Sequence, residues 1–329
     1  MTRLPLHRIA RVVLSQERQA ELLARDWDYI AELAPGIWTP GGGHLNIIAT
    51  RELLRRADVA GARCLDVGTF EALVPILLAH RGAAEVVGVD VRDSSDKIDA
   101  LKAVHGVDFA YCPRLTLNRT AEALDDRRRL AQTDISEDYA RAGFDLVVMS
   151  GLLYHVHSPL QLIGLARSLL KAGGLLVLET AASADDGLAM RCNFDGARWL
   201  YPGRSNTWFP TLKLLDHLLR LFCLAPIDCV HLPPHDGLLR VAVACRAVDA
   251  IVVCGSEGEV MRAQATNVDY NRLLDRRWAE DAPSSIAYAA APAVVRADSG
   301  TCDIFASVAA QPPLSLDAAR ARLALDDRD

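Results

Sequence analysis

The chain has 329 residues, 51% hydrophobic and 24% charged, the fractions of an ordinary globular protein rather than of a disordered, collagenous or coiled-coil one. A prior of roughly 100–200 residues per domain gives one large or two moderate domains. Lys plus Arg number 36 against 42 Asp plus Glu, and the formal net charge of -6 leaves no basic footprint for wrapping a nucleic acid.

The first twenty residues are broken by Arg3, His7, Arg8 and Arg11, and no apolar run approaches the ~18 residues that span a bilayer, so no membrane partner and a cytoplasmic location are expected. The eight cysteines are scattered without a CxxC pair, and Cys64, Cys245 and Cys254 sit in apolar runs. That usage predicts reduced core thiols and no metal site.

Residues 17 to 33 place Leu22, Leu23, Trp27, Ile30 and Leu33 on one helical stripe, which predicts an amphipathic helix ended by Pro35 and Gly36. Gly41, Gly42 and Gly43 follow as a loop with wide backbone freedom, so residues 1–60 read as a helical cap. From residue 63 short β-branched runs alternate with helical stretches. RCLDV, EVVGVDV, FDLVVMS and GLLVLET are predicted strands, with helices near 71 to 80 and over SPLQLIGLARSLLKAGG. The third strand is expected in RRLAQTDI rather than LTLNRT. TLKLLDHLLRLF is a helix, and PIDCVHL and LLRVAVAC are strands paired through PPHDG. This predicts an α/β fold with a doubly wound, mostly parallel sheet ending in an antiparallel strand, over residues 61–249. Beyond 250, AIVVC, SIAYAAAPAVV and CDIFASVAA read as strands of a β-rich C-terminal extension over 250–329.

Chemistry concentrates at the strand ends. LDVGTFEA puts Gly68 at the turn after the first strand, where backbone can approach a ligand. Phe70 and Leu73 stand where a GxGxxG fingerprint needs glycine, which disfavours a dinucleotide. Asp90 closes the second strand, where a carboxylate can accept both hydroxyls of a ribose. A nucleoside without a bridging pyrophosphate fits both features.

LDVGTFEA, VVGVD, TDIS and FDLVVMSGLLYHVHSPLQLIGLARSLLKAGGLLVLET, in that order over residues 62 to 246, resemble the class I S-adenosylmethionine (SAM)-dependent methyltransferases. VGTF, GLLYHVHSPL, VLET and YPGRSNTWFPT most resemble the branch with tRNA wobble-uridine carboxymethyl/methoxyuridine enzymes and small-molecule relatives. The resemblance implies a Rossmann-like fold and SAM as cofactor. It implies Asp66, Gly68 and Thr69 at the methionyl part, Asp90 at the ribose, Asp134 and Ile135 at the adenine, and Ser150, Gly151 and Tyr154 on the floor. Ala72 replaces the usual glycine, and Pro75 falls early in the next helix, so the loop is expected to be shifted around Thr69 and Phe70. The basic residues that carboxylated-SAM enzymes place around an extra carboxylate are not evident, which favours ordinary SAM.

His155 and Tyr154 are the candidate catalytic groups, since an imidazole titrates near neutrality, although a histidine ahead of Pro159 can equally bond local backbone. Trp38, Tyr201, Asn206 and Trp208 are candidate acceptor-binding residues; Trp199 belongs to the same aromatic loop. The basic run Arg127, Arg128 and Arg129 reads as a solvated face. The expected function is methyl transfer to an O, N or S atom of a small molecule, with thioether methylation open. tRNA modification, disfavoured by the charge, and non-catalytic SAM binding are the alternatives. The cap is expected to act as a lid over the acceptor or to complete the core as a docked helix. Nothing in the sequence decides an oligomeric state.

Overall fold

The computed structural model describes residues 13–42, 45–115, 143–195, 198–200, 206–235, 237–265, 292–298, 300–315 and 317. In chain order these form α1 (Gln16–Leu23), β1 (Glu32–Ala34), β2 (Ile37–Trp38), α2 (Leu45–Arg56), β3 (Arg63–Val67), α3 (Leu73–His80), β4 (Glu85–Val89), α4 (Ser95–His105) and β5 (Ala110–Cys112). There follow β6 (Phe144–Ser150), a single 3-10 turn (Leu153–His155), α5 (Pro159–Leu169), β7 (Leu170–Ser183), β8 (Met190–Cys192), β9 (Phe194–Asp195), β10 (Arg198–Trp199) and β11 (Trp208–Pro210). The last described elements are α6 (Leu212–Leu221), β12 (Leu224–His231), β13 (Leu238–Ala247), β14 (Ala250–Val253), α7 (Gly258–Ala265), β15 (Ala293–Arg296) and α8 (Ile304–Ala310).

The main sheet is seven-stranded and mostly parallel. Contacts divide the chain into one unit of residues 1–136 with 314–329 and another of 137–313, a division that falls inside the expected 61–249 segment. In the first unit β3, β4 and β5 run parallel, Leu65 opposite Val87 and Val87 opposite Ala110. Cys64, Leu65, Val67, Val86, Val87 and Val89 are buried, as near-continuous apolar strands covered on both faces must be. In the second unit β6 runs parallel to β7, and β13 lies antiparallel between β7 and β12. That antiparallel pair is the one the PPHDG connection predicted.

Four expectations change. The stripe over 17 to 33 is helical only to Leu23: the backbone N–H groups of Asp28 and Tyr29 donate to the Glu71 carboxylate instead of continuing α1. Leu22, Trp27, Ile30 and Leu33 are still buried while Leu23 is exposed, so the apolar spacing marked burial at four of its five positions rather than helix. The place beside β4 belongs to β5, a half-buried three-residue strand too short to read as an apolar run, while RRLAQTDI lies outside the described residues. The KAGG of the predicted α5 is not helical: the chain turns to β geometry at Leu170 (φ -88, ψ 140), passes Gly173 at φ 75 as an irregularity, and pairs with β6 at Leu170 and again from Leu175. Lastly, CDIFASVAA is helical, with the Asp303 side chain accepting from Ala306 N at 2.8 Å to cap α8.

Candidate active site

β3 delivers the chain into a tight loop at Gly68, whose φ of +83 favours glycine. The N–H groups of Gly68 and Thr69 donate to Val89 O at 2.8 and 3.1 Å, folding the loop against the end of β4. Thr69 donates its hydroxyl to Asp66 O at 3.0 Å and packs on Gly88, where a Cβ would stand 2.6 Å from Thr69 Oγ1.

Phe70 (φ 52) and Ala72 (φ 59) both adopt the left-handed conformation, at a cost of about 1–3 kcal/mol each for non-glycine residues. Neighbouring groups hold it in place. Phe70 N–H donates to Asp90 Oδ2 at 2.7 Å, and Ala72 N–H donates to Thr69 O at 2.8 Å. The Phe70 ring meets Tyr29 edge-on at 5.1 Å, and the Arg92 guanidinium lies 5.0 Å from its centroid. Between these two residues Glu71, 1% exposed, accepts from Asp28 N, Tyr29 N and Lys97 Nζ at 3.1, 2.8 and 2.8 Å. The shift expected from Ala72 is thus met by backbone strain. Pro75, third in α3, falls in the first turn, where its missing N–H has no intrahelical partner to lose.

Asp90 is buried at the end of β4, and its Oδ1 accepts from Arg92 N at 2.7 Å. Each carboxylate oxygen therefore takes one backbone N–H and keeps further lone-pair capacity. Asp66 is deeply buried; desolvation, reinforced by the charge of Asp90 and opposed by its bond with Thr69, pushes its carboxyl up to about 7.

In the second unit the floor after β6 is built around Tyr154. Gly151 (φ 74) turns the chain and donates to Glu179 O at 3.0 Å. Tyr154, in the 3-10 turn, packs with Ala181, Leu200, Phe209 and Leu238. Its hydroxyl accepts from Arg240 Nη1 and Nη2 at 3.1 and 3.2 Å. Arg240 in turn grips Glu179 with a bidentate pair, Nε to Oε1 and Nη2 to Oε2, both 2.6 Å. Burial raises the Glu179 carboxyl while the Arg240 guanidinium opposes it. Ala181 and Ala242 stand across from Arg240 and Glu179 in the β7–β13 register, and their small side chains leave room for the pair.

One backbone and one side-chain bond strap the SNTWFP segment to this floor: Thr207 N donates to Tyr154 O at 2.7 Å, and Asn193 Nδ2 to Asn206 O at 3.0 Å. Asn206 is buried, and Trp208 is half-buried on β11 opposite Cys192. His155 is exposed, its ring edge-on to Tyr154 with centroids 4.4 Å apart. Ser150 ends β6, half-buried. Trp38 lies on β2 in the other unit, opposite Glu32. Asp134, Ile135, Tyr201 and the Arg127 to Arg129 run lie outside the described residues.

A family model described as a methyltransferase domain matches residues 42–223, more than half of the chain and spanning both strand ends just described. The chain belongs to the class I SAM-dependent methyltransferases. Relatives of this methyltransferase include the ubiquinone biosynthesis O-methyltransferase of Cereibacter sphaeroides, 31% identical over 54% of this chain and 66% of that protein. The tRNA U34 carboxymethyltransferase of Pseudomonas aeruginosa is 30% identical over 53% of this chain and 48% of that one. The chain thus spans less than two thirds of the length of these curated relatives. Among solved structures, the N-terminal domain of EvdMO1 with SAH and D-fucose aligns over 70% of this chain and 95% of that one at 20% identity and a TM-score of 0.48. The 1,6-didemethyltoxoflavin-N1-methyltransferase of Burkholderia thailandensis covers 62% and 76% at 19% identity and a TM-score of 0.42.

The first-unit residues fit SAM. Asp90 offers buried acceptor capacity suited to a ribose diol, and the Gly68 turn presents backbone without a Cβ. Three functional candidates escaped the sequence reading: Glu71, Glu179 and Arg240. A usable signal existed for two of them. Arg240 stands alone in LLRVAVAC and Glu179 ends GLLVLE, and a charge inside an apolar strand needs a partner.

Proposed function

We propose that this methyltransferase moves the methyl group of SAM to a hydroxyl oxygen of a small-molecule acceptor. The observation that carries the proposal is the buried Tyr154–Arg240–Glu179 cluster beside the loop after β6. SAM supplies an electrophilic methyl carbon, so the protein's task is to hold the acceptor in line and to handle one proton.

Two guanidinium N–H groups donate to the Tyr154 oxygen and polarise its hydroxyl as a donor suited to an oxygen acceptor. A thioether would use such a donor poorly. Glu179 neutralises Arg240, so the cluster offers a polar contact without a net positive charge that would select a carboxylate. His155, exposed and against the Tyr154 ring, takes the acceptor's proton and passes it to solvent. The segment bearing Asn206 and Trp208, bonded to the same floor, closes the acceptor side. The ubiquinone O-methyltransferase relatives support an oxygen acceptor.

The tRNA-modifying relative supports a second reading, against which the net charge of -6 counts. Incubation with methyl-tritiated SAM and either a small-molecule extract or bulk tRNA separates the two. Label is expected in the small-molecule fraction, and label confined to tRNA would overturn the proposal. In the same assay His155→Gln should lower turnover by about 10²-fold or more and remove the acidic limb of the pH–rate profile. A limb unchanged in that variant would exclude His155 as the base.

A further inference from the structure

The loop after β3 holds a shape that its residues resist. Phe70 and Ala72 flank Glu71 in the left-handed conformation, which glycine would adopt without strain. Phe70 is anchored by Asp90, Tyr29 and Arg92. The Ala72 N–H bonds back within the loop, to Thr69 O, so at this end the Glu71 side chain is what fastens the loop to the structure outside it. Its three partners are fixed in turn. Tyr29 O accepts from the buried Thr39 hydroxyl at 2.6 Å, and Thr39 Oγ1 accepts from Ala31 N at 2.8 Å. Lys97 Nζ, which donates to Glu71 Oε1, lies 5.5 Å from the centroid of the Trp27 ring. Arg25 Nη1 donates to Asp96 O at 2.8 Å, tying the same segment to the first turn of α4. Residues 25–39 thus form a backing against which the loop is set.

We propose that Glu71 is a positioning residue for SAM, and that through it the N-terminal segment is a working part of the cofactor site. The proposal rests on SAM as cofactor and not on the identity of the acceptor. Glu71 acts through the loop, not through a contact of its own with SAM: it keeps the strained backbone between Gly68 and α3 in the one shape that presents it to the cofactor. The position calls for a carboxylate, because all three partners are donors. Glutamine would turn one of the two oxygens into a donor, set against either a backbone N–H or the Lys97 ammonium. Lys97 compensates the buried charge. Coupling of this kind is reciprocal, so bound cofactor tightens the hold on residues 28–29 as much as that hold favours the cofactor.

The test is a double-mutant cycle read by calorimetry with S-adenosylhomocysteine, which needs no acceptor. Glu71→Gln in the full-length chain should weaken binding about tenfold or more, the scale of the loop strain it no longer restrains. In an Ala72→Gly background the same substitution should cost about twofold or less, since glycine keeps φ near +59 without an outside anchor. A residue needed for folding alone would not have its effect on affinity abolished by glycine one position along. Amide exchange at Tyr29 should slow on adding S-adenosylhomocysteine to the wild type, and slow less in Glu71→Gln. If Glu71→Gln does not fold, Lys97→Met takes its place in the cycle, with the same dependence on Ala72→Gly expected. Wild-type affinity in the folded Glu71 or Lys97 variant, or a loss of equal size in both backgrounds, would overturn the proposal.

Discussion

Asp90 binds two backbone N–H groups, from Phe70 and Arg92, before any ligand is considered. Its carboxylate therefore shapes the strained loop, besides the ribose-binding role proposed for it. Asp90→Ala should weaken SAM binding by about 1.5–3 kcal/mol, the range for a hydrogen bond to a charged group, in a chain whose circular dichroism is unchanged. Calorimetry giving wild-type affinity in the folded variant would remove Asp90 from the site. Asp66 behaves differently. Its folded carboxyl titrates at about 7 against 3.8 for the ordinary group, so the folded state binds the proton more tightly than the unfolded one. That contribution to stability is complete below the unfolded value and is lost as pH rises through about 7. Denaturant midpoints across that window should fall for the wild type relative to Asp66→Asn, whose slope lacks this component. Parallel slopes would show that Asp66 stays ionised throughout.

At the scale of elements, Glu71 ties residues 27–29 to the strained loop and so joins the N-terminal segment to the cofactor-binding strand end. Gly42 N also donates to Asp28 O at 3.0 Å, and a Cβ at Gly41 would stand 2.2 Å from Tyr29 O. These contacts favour the docked form of the cap over a lid hinged in this stretch. Glu71→Ala leaves the Asp28 and Tyr29 N–H groups without this acceptor, at about 1–3 kcal/mol for the buried Tyr29 donor. The variant should lower the denaturation midpoint and speed amide exchange at Tyr29. Unchanged exchange there would mean that the segment is held by its apolar contacts with Trp27 and Ile30 alone. The same region shows where sequence patterning stops. The spacing of Leu22, Leu23, Trp27, Ile30 and Leu33 marks what is buried at every position but Leu23, and a single carboxylate forty residues downstream takes the N–H groups that a helix needs. CDIFASVAA fails for another reason: a short apolar run suits strand or helix equally, and the Asp303 cap decides.

For the molecule as a whole, the order of strands and motifs was legible because the parallel strands other than the short, half-buried β5 are apolar runs bounded by turn residues. RCLDV and FDLVVMS coincide with β3 and β6 residue for residue. The positions of Gly68 and Asp90 were legible for the same reason: they directly follow β3 and β4, strands that the pattern locates. For Glu179 and Arg240 the sequence signals only that each charge needs a partner; that they partner each other depends on strands that pair only through sheet topology. That partnership underlies the central claim, transfer of a methyl group from SAM to an oxygen of a small molecule. The most direct test is to incubate the protein with SAM carrying a carbon-13 methyl group and a small-molecule extract, and to record the carbon spectrum of the products. The account predicts a new enzyme-dependent resonance in the oxygen-bound methyl region, strongly reduced in Tyr154→Phe. A methyl resonance in the nitrogen- or sulfur-bound region instead, or no transfer to any small molecule, would contradict it.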